Sequence, residues 1–227
     1  MFWASGSPFA WRVLLALEVK RLPWTSHLVE LSRGDTRTPA FRALNPRGLV
    51  PVLREGEVVV SESIAILAYL ERAYPDPPLF GRTPAEAARV WREVMSAAVY
   101  LDGPADAFIL PVYFGKGAEK AAEIRAALPL VGAEMARLEA LLAGNGPEGA
   151  GGQARQWLAL DDVSAADLVV YPMVRSLARA GTKRDAARFD HDFAPIGARY
   201  PHIAAWMGRV EALPGYDRTY PPHWREG

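Results

Sequence analysis

The chain has 227 residues and no cysteine. That absence excludes disulfides, thiolate metal ligands and any cysteine nucleophile or redox centre. Lysine is nearly as scarce, occurring at positions 20, 116, 120 and 183, so arginine supplies most of the positive charge. Neither sign dominates: Lys plus Arg and Asp plus Glu are both 26, which excludes the charge excess of a nucleic-acid or acidic-membrane partner. No window approaches the roughly 20 apolar residues of a membrane span. The N-terminus lacks a basic stretch leading into a long apolar run, so no secretory leader is read and a cytoplasmic location is expected. The four histidines at 27, 191, 202 and 223 fall in no metal-ligand spacing, and no metal site is assigned.

What is present is globular. Half the residues are hydrophobic and 23% are charged, in a chain long enough for one large domain or two small ones. The organising stretch is the N-terminal run from Phe2 to Leu17. A short apolar strand, Phe2 to Ala4, meets a Ser5-Gly6-Ser7 turn that opens into an amphipathic helix over 8–20. Ser7 followed by Pro8 is a helix start, because the hydroxyl can accept from an orphan N–H and proline needs no donor at the first position. A hydroxyl therefore sits at the positive end of a helix, where an anion is favoured. Taken alone, a Ser-Pro pair is simply a cap.

Downstream, a second strand is read within 24–31, and Thr38-Pro39 starts a short helix through Leu44. Leu49 to Leu53 is a buried-type strand interrupted by Pro51, which marks Val50-Pro51 as a special backbone position, an edge or a cis bond. Glu55-Gly56-Glu57 turns into Val58–Val60, and Ser61-Glu62-Ser63 opens a helix carrying Ile64, Ile66, Leu67 and Leu70. The order β-α-β-α-β-β-α is thioredoxin-like. Residues 74–78 hold three prolines and form a linker. We therefore expect an α/β thioredoxin-like domain over 1–78 and an all-α helical domain over 84–227.

In the second half, Thr83-Pro84-Ala85-Glu86 has capping-box spacing, and Gly103-Pro104 should kink or interrupt the helix it launches. A long helix over 119–142 contains Pro129. Residues 145–152 form a glycine-rich connector. Ser164 to Asp167 is another capping box, and Pro201 opens a late helix that ends at Leu213-Pro214-Gly215. The tail from Asp217 onward shows no usable period.

This arrangement resembles the glutathione S-transferase family. Ser7 to Val13 is similar to the Ser-type active-site turn of tau-like and zeta-like classes. Asn45-Pro46-Arg47-Gly48-Leu49-Val50-Pro51-Val52-Leu53 is similar to the family segment that carries a cis-proline. Glu62-Ser63 resembles its acidic-Ser pair, Ser164 to Asp167 its helical-domain capping box, and Tyr200 to Trp206 its late helix.

The resemblance implies a glutathione transferase using glutathione as co-substrate, acting on a small hydrophobic electrophile as a cytosolic homodimer. Ser7 would donate a hydrogen bond to the glutathione sulfur, lowering the thiol pKa; Ser5 is the second candidate, and Ser7 is preferred. The Val50 backbone beside Pro51 would pair with the cysteinyl amide, and Glu62 and Ser63 would take the γ-glutamyl end. Arg37 would meet the glycine carboxylate, or is simply an exposed Arg beside a helix start. Phe9, Tyr100, Phe108 and Tyr113 would line the electrophile site, although aromatics at helical spacing are more often core. Without cysteine, mixed-disulfide chemistry is disfavoured. A maleylacetoacetate-type isomerase, an ether-cleaving enzyme and a non-catalytic binding module are the alternatives. For the isomerase, Trp11-Arg12-Val13 and Arg179 speak in favour; Met173 and the missing Ser-Ser-Cys turn speak against.

Overall fold

The structure is a computed structural model that describes residues 1–146 and 152–225. Two compact units emerge, one of residues 1–79 joined by the chain from Leu213 onward, the other Phe80–Ala212.

The first unit is built on a four-stranded sheet in the order β2-β1-β3-β4. Strand β1 (Phe2–Trp3) leads into helix α1 (Pro8–Val19), which crosses over to the short parallel strand β2 (His27–Leu28). Helix α2 (Pro39–Leu44) follows, capped by Thr38, whose hydroxyl accepts from the Phe41 amide at 3.3 Å. Strands β3 (Val52–Glu55) and β4 (Val58–Ser61) form an antiparallel hairpin, and β3 also lies antiparallel to β1, with Phe2 opposite Val52. Helix α3 (Ser63–Ala73) completes the thioredoxin-like set. The bond Val50-Pro51 is cis.

Helix α1 is buried along its whole length from Ala10 to Glu18, where the apolar pattern predicts one buried face. It lies against α3 and also against α10 (Tyr216–Thr219), a turn of helix in the tail. The Trp11 indole N–H donates to Thr219 Oγ1 at 2.8 Å, and its ring meets those of Tyr216, Tyr220 and Trp224 at 5.5–6.0 Å. Arg218 pairs with Glu18 at 3.2 Å. Gly215, at φ +83°, brings the chain so close to Glu18 that a Cβ would lie 2.5 Å from Oε2. The tail was expected with the helical domain; aromatic packing on Trp11 places it in the first unit instead.

The linker is tied down by a buried cation. Lys20 Nζ donates to Glu71 at 2.9 Å and to the carbonyls of Tyr74 at 2.6 Å and Pro77 at 2.8 Å. Three oxygens on one ammonium offset the cost of removing it from water.

The second unit is helical. Helix α4 (Pro84–Ser96) starts in the expected capping box, with the Glu86 amide donating to Thr83 Oγ1 at 3.2 Å and the Thr83 amide to Glu86 Oε2 at 3.0 Å. It runs through a π-helical turn, Ala97–Leu101, into α5 (Asp102–Tyr113). Pro104 falls in the first turn of α5, where a missing N–H is tolerated, so the helix shifts register at the π-helical turn without ending. Helices α6 (Ala121–Leu142), α7 (Ala165–Gly181), α8 (Ile196–Arg199) and α9 (Pro201–Glu211) follow. Of the glycine-rich connector over 145–152, residues 147–151 lie outside the described residues.

Asp167 anchors this unit. Its fully buried carboxylate accepts from the amides of Leu158 and Ser164, from the Ser164 hydroxyl and from the Trp206 indole N–H, at 2.8–2.9 Å. Burial pushes the carboxyl above its usual range against the pull of these four donors.

Candidate functional site

The sheet topology gathers the chemistry-bearing turns. Strands β1 and β4 are both antiparallel to β3, hence parallel to each other, with Phe2 opposite Val52 and Val52 opposite Ser61. The exit of β1 (Ser5 to Ser7), the entry of β3 (Val50-Pro51) and the exit of β4 (Glu62-Ser63) therefore lie at one end of the sheet. With strands about 4.8 Å apart, these turns span roughly 10 Å, the reach of a short extended peptide. Strand β2 runs parallel to β1, so the chain leaving it toward Arg37 starts from the same end.

Ser7 is the N-cap of α1, its Oγ accepting from the Ala10 amide at 3.3 Å with Pro8 at the first helical position. The cap uses a lone pair only. A hydroxyl also carries one proton, and this one remains available to an acceptor in front of the helix. Ser5 is placed differently, with Oγ 2.6 Å from His223 Nδ1 of the tail.

Pro51 is buried and Val50 half-buried at the entry to β3. The loop ahead of them is held by Asn45, a residue given no role from the sequence. Its Nδ2 donates to the Leu49 carbonyl at 2.8 Å and its Oδ1 accepts from the Arg47 amide at 3.1 Å.

Glu62 has φ +69°, a region that favours glycine, and as N-cap of α3 its side chain makes no capping bond. Such a backbone costs about 1–3 kcal/mol. Local folding gives no return for it, which makes it a functional signal. The exposed carboxylate lies 3.6 Å from Arg47 Nη1, a pairing that sequence reasoning missed. Ser63 is buried at the start of α3, and Arg37 is exposed at the end of a 3-10 turn.

The aromatics divide. Phe9 is half-buried on α1, with the Arg12 guanidinium 4.8 Å over its ring. In the helical unit Tyr100 is exposed and Tyr113 half-buried. Phe108 is fully buried, edge-on to His191 and Phe193, and offers no surface to a ligand; it belongs to the core, and the expectation that it lines the electrophile site is corrected. Among the described residues no group of three or more His, Asp or Glu side chains could hold a metal ion. No described helix is long and apolar enough to cross a membrane.

A family model for the glutathione S-transferase N-terminal domain matches residues 6–73, and one for the C-terminal domain matches 121–209. The chain belongs to the glutathione S-transferase family. As a glutathione transferase it takes glutathione as co-substrate. It is 32% identical over 224 residues to a maleylpyruvate isomerase from a Ralstonia species, covering 97% of this chain and 94% of that one. With a probable maleylacetoacetate isomerase of Vibrio cholerae it shares 30% over 226 residues, covering 97% and 93%. Among solved structures, a glutathione S-transferase of the Antarctic clam Laternula elliptica superposes with a TM-score of 0.76 at 26% identity, covering all of this chain and 93% of that one. The transferase therefore has full-length relatives of two kinds, named as glutathione S-transferases and as isomerases.

Proposed function

We propose that this glutathione transferase binds glutathione across the shared end of the sheet and ionises its thiol at Ser7, for attack on a small hydrophobic electrophile. The observation that carries the reading is the convergence of three turns, each with a different chemistry. Ser7 offers a hydroxyl proton at the positive end of a long helix, the right field for a thiolate. Val50 beside Pro51 offers an extended backbone edge to the cysteinyl amide. Glu62 offers an exposed carboxylate to the γ-glutamyl ammonium, with Ser63 for the neighbouring carboxylate, and Arg37 is assigned to the glycine end. Phe9 supplies an aromatic face next to Ser7, and Tyr100 and Tyr113 remain the aromatics of the helical unit proposed for the electrophile.

Glu62→Gln tests the binding half. Removing the charge while keeping the shape is expected to weaken glutathione binding about tenfold by calorimetry, the scale of a charged hydrogen bond. Unchanged affinity would remove Glu62 from the site.

The isomerase-named relatives favour a second reading, in which the thiolate adds to an unsaturated diacid and is expelled after bond rotation. Met173, fully buried in α7, has no polar atom to offer such a substrate, so we place this reading second. Isomerisation of a maleyl-type diacid, faster than conjugation of an activated aryl halide, would reverse the order.

We also propose a homodimer. Trp91, Met95 and Val99 repeat at i, i+4 and i+8 along α4 and the π-helical turn, and all three are exposed. Such an apolar stripe supports an interface here. Light scattering is expected to give twice the 24.8 kDa chain mass, falling to the monomer value in Met95→Asp. A wild-type monomer would sink the dimer.

A further inference from the structure

The contact between Ser5 and His223 joins residues 218 positions apart, and neither motif nor spacing in the sequence connects them. His223 is held in place on both sides. The neighbouring Trp224 is buried and edge-on to Trp11 at 5.5 Å and to Tyr220 at 5.9 Å. On the other side, Gly6 at φ +81° lets the tail come so close that a Cβ there would sit 2.9 Å from His223 Cε1 and 3.3 Å from Trp224 Nε1. The turn between Ser5 and Ser7 is therefore glycine for two reasons, its left-handed backbone and the imidazole against it. Trp11 lies on the same helix whose N-terminus carries Ser7, so one rigid element fixes both the hydroxyl and the tail.

We infer that His223 is a positioning residue of the thiolate turn, donating through Nδ1 to Ser5 Oγ and thereby turning the Ser5 proton toward the glutathione sulfur as a second donor beside Ser7. This rests on the reading that the turn binds glutathione. A hydroxyl that accepts from an imidazole N–H keeps its own proton for another acceptor, whereas one that donates to a bare nitrogen has none left to give. An anion in front of α1 selects the first arrangement, because it orients each hydroxyl dipole in the chain toward itself and strengthens every link. Histidine suits the place, since one ring nitrogen can donate at Nδ1 while the other stays unprotonated. The two candidate serines are on this account partners, with Ser7 stabilised by the helix and Ser5 by the tail.

The test is a double-mutant cycle on the full chain with glutathione as probe. Wild type, Ser5→Ala, His223→Phe and the double variant are titrated with glutathione by calorimetry, and the ultraviolet absorbance of the bound thiolate is followed against pH. Glutathione affinity is expected to stay within about threefold of wild type in all four. The bound thiol pKa is expected to rise by about one unit in each single variant, a fall in thiolate at neutral pH of about threefold where the wild-type thiol is already mostly ionised, with no further rise in the double variant. His223→Asn, whose amide can donate from near the Nδ1 position, is expected to restore most of the shift. Two results would overturn the inference: an unchanged or lowered thiol pKa in His223→Phe, or shifts that simply add in the double variant. Were His223→Phe to fail to fold, the smaller His223→Ala takes its place in the cycle, because Ser5→Ala alone removes the donor rather than what positions it. A wild-type protein that binds no glutathione would defeat the reading of the turn itself, and the inference with it, an outcome distinct from intact binding with an unmoved thiol.

Discussion

Ser7→Ala is expected to lower kcat/KM for glutathione conjugation of an activated aryl halide about a hundredfold or more, with glutathione affinity changed by less than about threefold. The split follows from where Ser7 sits. Its hydroxyl accepts from Ala10 and keeps its proton for the sulfur, so it acts on the ionisation of the thiol and little on the tripeptide as a whole. A donor aimed at a developing anion in front of a helix N-terminus belongs to the class of interactions whose loss costs 10²–10³ in rate. At pH 7 most of a free thiol is protonated, and the variant would return bound glutathione toward that state.

The same substitution removes the cap of α1, which costs about 1 kcal/mol of stability. That loss can be told from the catalytic one. Ser7→Thr keeps both the cap and the proton, and is expected to retain thiolate and most of the rate. A Ser7→Ala protein with wild-type activity would move the chemistry to Ser5. Equal losses in binding and turnover would instead make Ser7 a binding residue.

How far these residues are legible in the sequence depends on whether their partners are local. Ser7-Pro8, Thr38-Pro39 and Thr83 to Glu86 are N-caps whose acceptor and donor lie three residues apart, and each forms as the spacing predicts. The hairpin of β3 and β4 follows from its tight turn, and Val50-Pro51 is cis as the resemblance implies. Long-range placement is what the sequence withholds. Nothing near His223 announces that it will meet Ser5. The cluster that packs Tyr216, Tyr220 and Trp224 on Trp11 exists only once α1 is formed. Phe108, which the resemblance would put in the electrophile site, is instead enclosed by His191 and Phe193, which come from far along the chain. Strand β2 shrinks to His27–Leu28, because it is an edge strand whose one neighbour, β1, is itself only Phe2–Trp3. Glu62 falls between these cases. Its chemistry is visible in the sequence, but the positive φ that marks it as functional needs the backbone.

The largest stability effect is expected at Asp167, which has no part in the proposed chemistry. Its carboxylate takes four donors, two amides, a hydroxyl and an indole N–H, and the side chain is fully buried. Asp167→Ala leaves those donors facing a cavity, where each unsatisfied buried group costs about 1–3 kcal/mol. Relaxation will recover part of the sum, and a net loss of about 4 kcal/mol is expected, read as a lower urea midpoint at unchanged slope. Asp167→Asn is expected to lose less, because one oxygen remains and the Ser164 hydroxyl can turn to accept from the new amide. The pH dependence has a definite sign. Burial raises this carboxyl above its unfolded value, so folding favours the protonated form. The wild type therefore gains on Asp167→Asn as pH falls through the folded pKa, and the gap stops widening below the unfolded one. A gap that narrowed on acidification would mean that the four donors outweigh burial and that Asp167 is held as the anion. Asp167 has no part in the proposed glutathione site, so glutathione affinity in Asp167→Asn, measured where the protein is folded, is expected to match wild type.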